Sequence, residues 1–154
     1  MTEERVFDGV ESVKAAVGEH IGYSDWLEIT QERVNQFAEA TGDHQWIHVD
    51  VERAASGPFG GTIAHGYLTL ALIPVLASEL FHLDLHGPKL NYGVNRVRFP
   101  HVVPVGSNVR ARATIAEVTD VPAGKQMVTR YVIELEDAEK PACVAETVVL
   151  LLDD

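Results

Sequence analysis

Residues 63–80 read Ile-Ala-His-Gly-Tyr-Leu-Thr-Leu-Ala-Leu-Ile-Pro-Val-Leu-Ala-Ser-Glu-Leu, a stretch of helical composition with no polar face. A helix of this kind has no side to turn to water, so the sequence predicts one long helix over 64–80, buried on nearly all sides. Its most apolar part, 68–77, is too short to cross a bilayer and contains Pro74, which places the segment in a core and not in a membrane. Other elements must therefore wrap it. After residue 87 four runs, 90–99, 108–118, 126–135 and 142–151, show alternation and β-branched residues. Turn residues fill the intervals 100–106, 119–124 and 136–141, and runs so closely spaced predict an antiparallel meander.

The first half of the chain is mainly helical in pattern. A short helix is expected over 10–17 and a first strand over 26–29. Thr30 is placed to cap a helix running to Thr41, with Val34, Phe37 and Ala38 as its apolar face and Gly42 just past its end. A short helix over 51–55 follows, and Gly57-Pro58-Phe59-Gly60-Gly61 forms a loop leading to the apolar helix. No linker, charge block or internal repeat divides the chain, so residues 1–154 are expected to form one α+β domain, a curved antiparallel sheet wrapped around a long central helix.

Twelve Lys+Arg against 23 Asp+Glu give a formal net charge of −11 without any basic block, which argues against nucleic acid as a partner. A local patch would still serve an anionic ligand; Arg96, Arg98, Arg110 and Arg112 fall close together in sequence, either as such a patch or as ordinary solvated strand positions. The single Cys143 lies in a Val/Ala-rich run and is expected to be a buried, inert thiol in a reducing compartment. The opening Met-Thr-Glu-Glu-Arg-Val-Phe-Asp has neither a basic region nor an apolar one, so a cytoplasmic location is expected.

The chemistry-bearing residues cluster in two places. Thr-Gly-Asp-His-Gln-Trp-Ile-His-Val-Asp at 41–50 sets Asp43 and His48 in an Asp-x4-His spacing, and Ile63-Ala64-His65-Gly66 opens the apolar helix. A carboxylate and an imidazole together can hold a water molecule and move its proton near neutral pH. Gly66 adds a backbone N–H at the helix head, able to polarise a carbonyl oxygen. His65 is expected to hydrogen-bond loop backbone at the helix start, and Tyr67, Phe81 and Tyr92 to serve core or interface. His44 and His48, with Asp43 or Asp50, imitate a histidine–carboxylate metal set, but no helical pattern puts them on one face and His-Glu-x-x-His is absent; no metal and no cofactor are expected.

These features together resemble the hot-dog fold and, within it, the MaoC-like dehydratases or (R)-specific enoyl-CoA hydratases, over most of 20–152. The resemblance rests on Asp43 and His48 within Thr-Gly-Asp…Ile-His-Val-Asp, on Ile63-Ala64-His65-Gly66, and on Arg98-Phe99-Pro100…Pro104-Val105-Gly106. It implies that Asp43 and His48 activate the water added to a 2-enoyl thioester of coenzyme A or acyl carrier protein. Gly66 N–H would face the thioester carbonyl, and the product would be the (R)-3-hydroxyacyl thioester of fatty acid metabolism. Gln45-Trp46 stands where many members have Asn-Pro, a change that bears on substrate range more than on reaction type. Two rival functions remain on the same fold: an acyl-CoA thioesterase and a non-catalytic acyl-thioester-binding subunit. A sheet of five or six strands leaves open edges, so a homodimer joined edge to edge is expected.

Overall fold

In the computed structural model, which describes residues 4–152, the chain order is β1 (Arg5–Phe7), α1 (Val10–Ala15), β2 (His20–Tyr23), β3 (Leu27–Glu28), α2 (Gln31–Thr41), α3 (Trp46–Val49), α4 (Val51–Ala55), α5 (Gly66–Ala71), α6 (Ile73–Ala77), β4 (Phe81–Leu83), β5 (Lys89–Arg98), β6 (Asn108–Val121), β7 (Gly124–Leu135) and β8 (Cys143–Leu152). The ends of the expected 1–154 unit, residues 1–3 and 153–154, lie outside the described residues.

Local chemistry accounts for the helix that precedes the site. Thr30 Oγ1 accepts the Arg33 N–H at 3.1 Å and starts α2. Gly42 ends it at φ 82°, a left-handed conformation that glycine adopts without a Cβ penalty, with its N–H on the Ala38 carbonyl at 2.8 Å. The chain therefore turns sharply at Gly42 and releases Asp43 into a loop. Asp50 Oδ1 accepts the Arg53 N–H at 3.1 Å and starts α4 in the same way.

The main sheet has the order β2-β6-β7-β8-β5, with β3 also paired to β6, and all its pairings are antiparallel. Register shifts at 20/22, 91/93, 95/98 and 115/117 mark bulges, which bend a strand and increase its twist. The sheet so bent closes on α5 and α6, where Leu68, Leu72, Ile73 and Leu76 meet Ile115, Met127, Tyr131 and Ile133 in one core. This is the hot-dog arrangement. A separate parallel pair, β1 with β4, holds Phe7 edge-on to Phe81.

Four expectations need correction. The long helix over 64–80 is two helices broken at Leu72, because Pro74 at the second position of α6 has no N–H for the Leu70 carbonyl and its ring crowds that turn. It is also not buried on nearly all sides: Tyr67, Ala71, Pro74 and Val75 form an exposed stripe, Tyr67 being 71% and Val75 52% exposed. The strand expected first, 26–29, is β3; two strands precede it, and the four residues of β2, with Gly22 at φ 135°, are too short and irregular to alternate. Finally, only β6, β7 and β8 form a meander. The segment after β5 is tied across the chain by the Ile63–Pro104 bridge, the Ala64 N–H on the Val103 carbonyl and the Val105 N–H on the Thr62 carbonyl, and β5 lies at the far edge beside β8.

Candidate active site

The segment following Gly42 carries Asp43 on an exposed loop and then, in the single turn of α3, the buried His48. His48 is fixed from several directions. Its Nδ1–H donates to the Ile63 carbonyl at 2.7 Å, and the Ile63 N–H returns to the Ile47 carbonyl at 3.0 Å. Gln31 Nε2 donates to the His48 carbonyl at 2.8 Å, and the Thr62 hydroxyl donates to Gln31 Oε1 at 2.7 Å. Because a carbonyl only accepts, Nδ1 must carry the hydrogen, and the neutral ring is left with a lone pair on Nε2. Burial is the largest influence on this ring and pushes its pKa below the ordinary 6.5, with the Ile63 bond and the Asp43 carboxylate opposing it. The neutral ring of His48 can thus accept a proton on Nε2.

Asp43, His48 and His65 each offer a nitrogen or oxygen within 4.8 Å of the others. Sequence reading placed the first two together; the third is a structural finding. His65 is 2% exposed and stacks on His48, with ring centroids 3.9 Å apart and an angle of 24° between planes. Its Nε2–H donates to the Asp43 backbone carbonyl at 3.0 Å, the loop-backbone contact expected for it. Three such residues are a metal-capable set by type. However, Nε2 of His65 carries the hydrogen given to the Asp43 carbonyl, whereas the Asp43 carboxylate and His48 Nε2 are two acceptors of the kind that suit a water molecule. His44 turns away and bonds Glu39 at 2.7 Å, which raises its pKa.

Gly66 follows His65 as the first residue of α5, and the first N–H of a helix has no acceptor within it. A Cβ at this position would lie 3.1 Å from the Phe99 ring, so glycine lets that ring lie against the backbone. One turn further, Leu70 lines a cavity of about 770 Å³ between α5–α6 and the facing strands, with Ile73, Met127, Tyr131 and Val149 among its apolar walls. Burial pushes the Tyr131 phenol up, so it stays protonated.

Residues 12–137 match the MaoC like domain family. The chain belongs to that family of dehydratases. Its chemistry is accordingly that of a hydro-lyase. It is 54% identical over 146 residues to the 3-hydroxyacyl-thioester dehydratase Z of Mycobacterium tuberculosis, covering 94% of this chain and 97% of that protein. It is 40% identical to nodulation protein N of Rhizobium leguminosarum bv. viciae, covering 92% and 90%. The unliganded R-hydratase PhaJ1 from Pseudomonas aeruginosa shares the fold, with a TM-score of 0.71 at 23% identity, over 90% of this chain and 83% of that one.

The four arginines close in sequence do not form one patch in this MaoC-like domain. Arg110 and Arg112 on β6 both bond Glu134, at 2.8 and 3.2 Å, and Arg110 also stacks over Tyr23 and Trp26. Arg96 and Arg98 lie on β5, with β7 and β8 between. Cys143 is fully buried and its thiol is pushed up to about 11 by burial, the inert state expected. Among the described residues no helix is long and apolar enough to cross a membrane. Gln31 and Thr62, which hold His48, escaped the sequence reading. One was only a helix residue and the other a loop hydroxyl, and no local pattern joins positions so far apart.

Proposed function

We propose that this chain, as a single 1–154 unit, adds water reversibly to trans-2-enoyl thioesters of coenzyme A, giving (R)-3-hydroxyacyl-CoA, with Asp43 and His48 as the catalytic pair. The observation that carries the reading is the His48 ring, held neutral with its lone pair on Nε2, and with a ring nitrogen within 4.8 Å of an Asp43 carboxylate oxygen. The dehydratase name of the mycobacterial relative supports a thioester substrate. Water has two protons, and two acceptors at this spacing hold it with an oxygen lone pair free to attack C3. As the C3–O bond forms, the double-bond electrons move onto the thioester oxygen, and the Gly66 N–H donates to the enolate. The proton taken from water passes to C2. Neither oxidation nor a cofactor or metal enters, and chelation is expected to leave the rate unchanged. The apolar cavity beyond Leu70 would take the acyl chain, and the cytoplasm is the compartment this reading assigns.

Crotonyl-CoA tests the reading. Hydration removes the conjugated enoyl-thioester absorbance without releasing free thiol and yields the (R) isomer. Thiol release would identify a thioesterase, tight binding without turnover a binding subunit, and the (S) isomer would overturn the stereochemical assignment.

The lowered pKa of His48 predicts the pH profile. Hydration needs the neutral ring, so the rate holds as pH falls through 6.5 and drops only below it. Stability follows the same sign: the unfolded chain takes up this proton at a higher pH than the folded one, so the contribution of His48 is full above 6.5 and is lost as pH falls below it. A rate already halved at pH 7 would remove His48 from the base role.

The proposal includes a homodimer. Among the described residues strand β5 pairs only with β8; Leu90, Tyr92 and Val94 on it are exposed, and Tyr92 and Val94 line one cavity with Ala71 and Pro74 of the apolar stripe. An unpaired apolar edge of this kind associates with its own copy. Light scattering at micromolar concentration should give twice the chain mass, and Tyr92→Asp with Val94→Lys should shift it to one. A wild-type monomer would reject the edge pairing.

A further inference from the structure

Asp43 is a weakly held member of the pair. It is exposed, its N–H reaches Thr41 Oγ1 only at 3.4 Å, and its Oδ1 meets the Gln45 N–H at 3.3 Å. His44 beside it is anchored to Glu39, but through an exposed contact on the solvent side. The bond that reaches Asp43 from the protein interior is the partly buried one from His65 Nε2, at 3.0 Å. The same ring stacks on His48 at 3.9 Å and rests against Phe37 at 4.9 Å, so it has little freedom to move. One buried side chain thus touches both members of the pair.

We propose that His65 is a positioning residue, which sets the distance from the Asp43 carboxylate to His48 by holding the Asp43 carbonyl with its Nε2–H while its ring backs the His48 imidazole. This rests on the reading of Asp43 and His48 as the catalytic pair. The bond fixes the tautomer of His65: hydrogen on Nε2, a bare lone pair on Nδ1. It is the Nδ1 atom that has no hydrogen-bond partner among the described residues although it is buried. An imidazole with the opposite tautomer would satisfy neither atom, because Nε2 would then face the Asp43 carbonyl lone pair to lone pair. A merely space-filling ring would carry no such requirement.

Two measurements test this. In the wild-type protein, long-range ¹⁵N–¹H correlation of the histidine rings should find the hydrogen of His65 on Nε2 and that of His48 on Nδ1. Hydrogen on Nδ1 of His65 overturns the proposal without any variant. Among variants, His65→Phe keeps the stacked ring but has no donor, and His65→Gln puts an amide N–H where Nε2 stood. The phenylalanine variant should lose about tenfold or more in kcat with KM little changed, the scale of a misplaced acid–base pair. The glutamine variant, which restores the donor but not the stacked ring, should recover part of that loss. In an Asp43→Asn background the phenylalanine change should cost almost nothing more. A wild-type rate in His65→Phe while Asp43→Asn is impaired overturns this proposal alone, as does a glutamine variant no better than the phenylalanine one. A wild-type rate in Asp43→Asn overturns both this and the catalytic pair.

Discussion

Asp43→Asn is expected to lower kcat for enoyl-thioester hydration by about a hundredfold or more, the scale for losing a positioned acid–base group, with a much smaller change in KM. The substitution keeps the shape and the backbone carbonyl that His65 holds, and it removes only the carboxylate charge. For His48 the choice of replacement matters. The ring both supplies the Nε2 lone pair and anchors itself through Nδ1–H to Ile63. His48→Asn retains an amide N–H where Nδ1 stood, so it separates the chemistry from the anchor; His48→Gln loses the anchor too and leaves the Ile63 carbonyl without that donor, at a cost of about 1–3 kcal/mol for a buried polar group. Both variants should show the same large loss in kcat, and only the glutamine one a lowered melting temperature. If Asp43 and His48 hold one water they act as a unit, and the double variant should be scarcely worse than the poorer single. Near-wild-type turnover in both single variants, with unchanged melting, would leave these residues structural.

The pair was legible in sequence because each member sits next to a local signal. Gly42 announces the helix end that delivers Asp43, and the short spacing to His48 keeps both in one loop and turn. The partners of the pair were not legible, because they come from elsewhere. His65 reaches Asp43 across 22 positions of chain and Gln31 reaches the His48 carbonyl across 17, contacts that depend on how α2 and α5 pack. The same limit applies to the fold. Alternation located β6, β7 and β8 to within a few residues, since those strands have one face in the core. It gave no information on where β5 joins, because that is decided by the ties of residues 103–105 to 62–64 and not by any periodicity. Apolar content alone also cannot separate a helix buried all round from one that leaves an apolar stripe exposed. The exposed stripe from Tyr67 to Val75 has the same composition as the buried side.

Gly66 allows the oxyanion role to be tested by a pair of substitutions of which only one keeps the N–H. Both Gly66→Ala and Gly66→Pro place a Cβ about where the Phe99 ring lies 3.1 Å away, so both require the ring to give by the same few tenths of an ångström. Only proline also removes the N–H. The backbone accepts it: Gly66 is the first residue of α5, where proline is favoured, and His65 is extended at φ −61° and ψ 137°, the region a residue before proline prefers. If the N–H donates to the enolate oxygen, alanine should cost little beyond the ring adjustment, whereas proline should lower kcat a further hundredfold or so, the scale for losing one oxyanion donor. KM should rise more in the proline variant, because proline's Cδ stands where that N–H pointed and crowds the carbonyl as well. Melting temperatures close to one another would establish that the comparison is of chemistry and not of folding. Equal kcat in the alanine and proline variants would remove Gly66 N–H from the reaction and leave the glycine explained by the Phe99 contact alone.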